Sequence, residues 1–125
     1  MSEAMLRVRL GMQDTHYAEA LIPAATILRL MADCSTEIGL RENKGREGLL
    51  AAYEGAEFLQ SCRVGDYLEI RAKVLSRGNR SRRVEITAWR TLQAPHHGEN
   101  GNRWTILEEP ELVAKAVLVS VTPRD

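Results

Sequence analysis

Asp33 and Glu37 stand four residues apart, a spacing that puts both carboxylates on one face of a helix. Paired carboxylates in that position suit general acid–base chemistry, and they equally suit a solvated stripe in which Arg29 pairs with Asp33. A polar stretch, Gln13-Asp14-Thr15-His16-Tyr17, precedes this segment and carries further proton-handling groups in Asp14, His16 and Tyr17. They gain importance if the loop folds over the helix face. Further on, Arg77, Arg80, Arg82 and Arg83 crowd around Gly78-Asn79. Four guanidinium groups at a glycine turn could hold phosphates through bidentate forks and backbone N–H groups, or could form a solvated hairpin tip.

Other chemistries are excluded by missing patterns. There is no GxxxxGK[ST] or GxGxxG phosphate loop and no GxSxG nucleophile elbow. His96-His97 sit in a Gly/Asn-rich stretch without a cysteine or carboxylate at ligand spacing, so they read as loop residues and no metal site is expected.

Elements must position these groups. Leu6-Arg7-Val8-Arg9-Leu10 alternates apolar and basic, which predicts a strand with one wet face. Pro23 suits a helix start. Ile27, Leu28, Met31, Cys34 and Ile38 then recur at spacings of three and four, with Leu30 and Ala32 widening the apolar arc. Thr26, Arg29, Asp33 and Glu37 form the narrow polar stripe, and Gly39 with Lys44-Gly45 ends the helix. After Gly48 the pattern is β: Leu50 to Leu59, then Leu68 to Val74 and Val84 to Ala88, joined by the Arg77–Ser81 connection. Residues 94–104 read as a mobile loop. Leu112 to Val121 is apolar on both faces and should be a central or covered strand. One strand, one buried helix and four strands predict an α+β domain, residues 1–125, with a sheet wrapped around a single helix.

Lys+Arg and Asp+Glu both number 17, so the balance offers no pull toward nucleic acid or anionic lipid. No apolar run nears the roughly 20 residues that cross a bilayer, so no membrane span is expected. The start lacks a basic n-region and apolar h-region. The expectation is a cytoplasmic protein in which Cys34 and Cys62 are reduced and buried.

At this point the residues resemble a known family. Pro23-Ala24-Ala25-Thr26-Ile27-Leu28-Arg29-Leu30-Met31, Glu57-Phe58-Leu59 and Val64-Gly65-Asp66-Tyr67-Leu68-Glu69-Ile70 look like the hotdog fold. Lys73 to Ser81 resembles its strand-turn that receives coenzyme A. In the related acyl-CoA thioesterases a Gly-Gly-Thr-Ile-Leu-x-x-Met-Asp helix carries its catalytic aspartate directly after the methionine. Here Ala32 follows Met31, and Ala24-Ala25 replaces the glycine pair. Asp14-Thr15-His16-Tyr17, Thr36-Glu37-Ile38 and Glu85-Ile86-Thr87-Ala88-Trp89 are instead similar to the hotdog ammonia lyases acting on 3-aminobutyryl-CoA or β-alanyl-CoA.

That resemblance implies elimination of ammonia from a β-amino acyl-CoA, in its most similar form (S)-3-aminobutyryl-CoA to crotonyl-CoA in lysine fermentation, reversibly and without a cofactor. Backbone N–H groups at Ala24 and Ala25 would bear the thioester oxygen's developing charge. Glu37 would be the base, its pKa raised if a partner covers the stripe. Asp33 would hold the substrate ammonium or pair with Arg29, and His16 or Tyr17 would shuttle the amine proton, beside Asp14. Arg77, Gly78, Asn79, Arg80 and Ser81 would take the CoA moiety. A homodimer, possibly a hexamer built as a trimer of dimers, is implied as well. A thioesterase and a non-catalytic acyl-CoA-binding protein are the alternatives.

Overall fold

The computed structural model describes residues 2–15, 20–96 and 99–123. The strands are β1 (Glu3–Arg9), β2 (Leu49–Phe58), β3 (Tyr67–Arg77), β4 (Ser81–Gln93) and β5 (Thr105–Val121), and the helix is α1 (Ala24–Glu42). They form a single antiparallel sheet in the order β1-β3-β4-β5-β2, with α1 against one face.

Strand alternation explains how the sheet receives the helix. Across the sheet, Ile70 pairs with Ala88 and Ala88 with Ala114, while Ala72 pairs with Ile86 and Ile86 with Ala116. Each inward row sets one isoleucine among two alanines, and all six residues are buried. Into them α1 sets Leu30, Met31, Cys34 and Ile38, the residues whose helical spacing marks the apolar face. Both cysteines are free and buried, as the sequence predicts. Burial pushes the Cys34 thiol up to about 12 and Cys62 up to about 11.

The helix begins after Pro23, which carries extended backbone angles and gives no side-chain cap. It closes where Gly45, at φ +86°, donates its N–H to the Leu40 carbonyl at 2.7 Å. Five strands and one helix in the expected order bear out the α+β reading.

Two strand details differ from the pattern. β5 starts at Thr105 rather than Leu112, because Ile106 pairs with Leu92 before the ladder slips across residues 107–110. Pro110 has no N–H to donate, so the interruption and the acidic run Glu108-Glu109 hide the strand's first part from an alternation test. β5 lies inside the sheet, as its two apolar faces require. β2 is an edge strand of ten residues, all exposed except the half-buried Tyr53. The 94–104 connection includes a turn at Glu99–Asn102 in which Asn100, Gly101 and Asn102 take positive φ; His97 and Gly98 lie outside the described residues.

Candidate active site

The helix stripe resolves into two ion-paired groups. Arg29 reaches Asp33 and Asp14, at 3.3 Å each, so a residue of the 11–15 loop does meet the helix face. The Thr26 hydroxyl donates to the Asp14 carbonyl at 2.9 Å, and an Asp14 oxygen accepts the Gly11 N–H at 2.7 Å. Asp33 stays 54% exposed, a level at which an i,i+4 pair contributes well under about 1 kcal/mol, so it is easily released. His16 and Tyr17 lie outside the described residues.

Glu37 is set apart from that group. Its carboxylate accepts from Arg41 Nε at 2.9 Å and keeps 30% exposure, less than Asp33. It borders a cavity of about 500 Å³ that also meets Glu3, Met5, Arg71 and Lys73.

The helix start faces a second cavity, of about 280 Å³, lined by Leu21, Ile22, Ala24, Ile27, Cys62 and Val113 among others. Because Pro23 offers no capping oxygen, no side chain among the described residues caps the first-turn N–H groups at Ala24 and Ala25. Uncapped N–H groups at the positive end of a helix are suited to an anionic or polarised oxygen.

The arginine cluster divides by partner. Arg77 and Arg82 both donate to Glu42 at the end of α1, Arg82 at 2.8 Å, and Arg82 also reaches Asn43 at 3.2 Å. Burial alone would raise the Glu42 carboxyl, but hydrogen bonds from Arg82 and Arg77 outweigh it and hold the group below its usual range. Arg83 donates twice to Glu54 on β2. Among the described residues Arg80 has no ion pair, and its exposed side chain sits in the turn closed by the Gly78 N–H to Ser81 carbonyl bond at 2.9 Å. Gly78, Asn79 and Arg80 thus form the tip between Arg77 and Ser81.

The single chain does not bring the described groups to one point. Ala24 and Glu37 lie about 20 Å apart along the helix axis, and Ala24 and Glu42, which binds Arg77, about 27 Å. The helix start is at one end, and Glu37 with the arginine turn is toward the other.

One buried charge pair is not evident from local pattern. Asp66 (1% exposed) and Arg90 (6% exposed) meet at 3.1 Å. Arg90 continues the inward parity of Val84, Ile86 and Ala88, so the signal was an arginine where alternation demands an apolar residue. Asp66 closes the Val64-Gly65-Asp66 turn, in which Gly65 takes φ +97° and a Cβ would lie 3.0 Å from that of Ala94. A side chain there would be strained and crowded.

Among the described residues no group of three or more His, Cys, Asp or Glu could hold a metal, and no helix is long and apolar enough to cross a membrane.

Comparison with known proteins agrees with this architecture. The Thioesterase superfamily matches residues 24–93. The 3-aminobutyryl-CoA ammonia lyase of Acetoanaerobium sticklandii is 34% identical over 123 residues, which covers 98% of this chain and 96% of that protein. Among solved structures, the β-alanyl-CoA:ammonia lyase of Clostridium propionicum superposes with a TM-score of 0.85 at 23% identity, covering 98% of this chain and 91% of that one. A hexameric broad-specificity acyl-coenzyme A thioesterase gives a TM-score of 0.76 at 22% identity, over 96% of this chain and 78% of that one. With its helix and three of its strands inside the matched segment, and a relative similar along nearly its whole length, the chain belongs to the thioesterase superfamily, in the family of the 3-aminobutyryl-CoA ammonia lyase.

Proposed function

We propose that this chain is an ammonia lyase that eliminates ammonia from a β-amino acyl-CoA, with (S)-3-aminobutyryl-CoA as substrate and crotonyl-CoA as product. The observation that carries this reading is the 34% identity to the 3-aminobutyryl-CoA ammonia lyase over 98% of the chain. Ala32, in the position after Met31 where the related thioesterases carry an aspartate, weighs against hydrolysis.

The chemistry needs a base for the α-proton, donors for the thioester oxygen and a route for the departing ammonia. The thioester acidifies the α-carbon. The N–H groups at Ala24 and Ala25 bear the enolate charge, and collapse of the enolate breaks the β-carbon–nitrogen bond. Glu37 is the base in this reading, since it is the less exposed of the two stripe carboxylates. Asp33, lightly held by Arg29, accepts the substrate ammonium, with Asp14 beside it and His16 or Tyr17 relaying the amine proton. Arg80, with Gly78, Asn79, Ser81 and Arg77, takes the CoA phosphates. The elimination is redox-neutral, and we expect it to run without an added cofactor.

The separation of Ala24 from Glu37 favours a site shared by two copies. An antiparallel helix pair would put Glu37 of one copy beside Ala24 of the other, and the open β2 edge offers ten residues for joining two sheets. A homodimer is therefore the minimal working unit, with a hexamer of three dimers as the larger form, acting in the cytoplasm. A 14.0 kDa monomer by light scattering at micromolar concentration would overturn the shared site.

One incubation tests the reaction. Crotonyl-CoA with ammonia is followed at the enoyl thioester absorbance, beside a free-thiol assay. Loss of the enoyl signal without thiol release is expected. Thiol release identifies a thioesterase, and no change in either identifies a binding protein.

A further inference from the structure

Arg90 holds a segment of chain rather than a single partner. Its Nη1 donates to the Ser61 carbonyl at 2.7 Å and to Asp66 Oδ2 at 3.1 Å, and its Nη2 donates to Glu111. Asp66 in turn accepts the N–H groups of Arg63 at 3.0 Å and Ala94 at 2.8 Å. Residues 61–66 are thereby fastened to β4 at both ends by one buried charge pair.

That segment is also the support of the helix start. The Ile22 N–H donates to the Cys62 carbonyl at 2.9 Å, and the Val64 N–H donates to the Ala20 carbonyl at 2.9 Å. Ile22 leads through Pro23 into Ala24, and Ser61 and Cys62 line the 280 Å³ cavity that Ala24 borders. A continuous chain of bonds therefore runs from Arg90 through residues 61–64 and 20–22 to the uncapped N–H groups of the helix. A buried ion pair adds little net stability over an apolar replacement, so its place behind this wall calls for another account.

We infer that Asp66 and Arg90 are positioning residues for the elimination: without touching substrate, they fix where the helix-start N–H groups meet the thioester oxygen. The inference rests on the lyase reading. Misplacement of a reacting group by about 1 Å can cost on the order of a hundredfold in rate, whereas CoA held at the distant arginine turn should be indifferent to it.

The test compares wild type, Arg90→Lys and Glu111→Gln for crotonyl-CoA amination, inhibition by free CoA and thermal melting. Arg90→Lys keeps the charge but cannot span Ser61, Asp66 and Glu111 together. In folded Arg90→Lys, kcat should fall at least about tenfold while the inhibition constant for CoA stays within about twofold. Unchanged kcat, or kcat and CoA inhibition weakening together, overturns the inference. Should Arg90→Lys fail to fold, the partly exposed Glu111→Gln decides. A fall in kcat of about threefold or more at unchanged CoA inhibition supports positioning, and any other result overturns it. Inactive wild type overturns the lyase reading and this inference with it; active wild type with unaffected variants overturns the inference alone.

Discussion

Arg82 and Arg90 stand at opposite ends of the same inward row of β4, and each meets a carboxylate from outside that strand. Arg82 donates to Glu42 at 2.8 Å where α1 ends, and Arg90 to Asp66 at 3.1 Å in the turn before β3. Between them Val84, Ile86 and Ala88 fill the core. The strand thus carries an apolar centre with a cationic clamp at each end.

Removing Asp66 takes away the buried counter-charge of Arg90 and leaves it the partly exposed Glu111. Asp66→Ala is expected to cost about 3–5 kcal/mol. Asp66→Asn, which can still accept the Ala94 N–H, should cost less. The midpoints of chemical denaturation measure both, and equal losses would contradict the charge argument.

The Glu42 clamp predicts an acid limb. Its carboxyl is held below the ordinary 4.5, so its contribution is present above that pH and is lost as pH falls through the lowered value. Wild type should lose stability as pH falls below 4.5 more steeply than Glu42→Gln. Parallel stability–pH curves would count against it.

Arg80 is the guanidinium of the cluster with no carboxylate neighbour among the described residues. Arg80→Ala should raise KM for the CoA ester several-fold and flatten its salt dependence, with kcat nearly unchanged. Arg77→Ala should weaken binding too, and it alone should disturb the Glu42 acid limb. A fall in kcat at constant KM for Arg80→Ala would move the CoA site elsewhere.

Glu37→Gln retains the shape and removes the base. With folding intact, kcat should fall at least about a hundredfold, while Asp33→Asn acts mainly on KM. If Glu37→Gln keeps nearly full activity and Asp33→Asn or His16→Ala loses it, the base is elsewhere.

Much of this protein follows from local pattern. Spacings of three and four from Ile27 to Ile38 are enough to place the helix and its buried face, because a helix exposes its period to any apolar neighbour. Alternation through Leu68–Val74 and Val84–Ala88 does the same for two strands. The missing carboxylate at Ala32 is likewise plain in the sequence.

Tertiary structure decided which charges remain available. Arg77 and Arg82 look equivalent to Arg80 in a row of letters, yet Glu42 lies 35 and 40 residues away from them. Asp66 and Arg90, 24 residues apart, become a buried pair only when the 61–66 segment folds back onto β4. Periodicity reports which face a residue shares with its near neighbours. An ion pair or a pocket wall depends on which distant stretch of chain arrives opposite that face, and only the packed sheet and helix settle that.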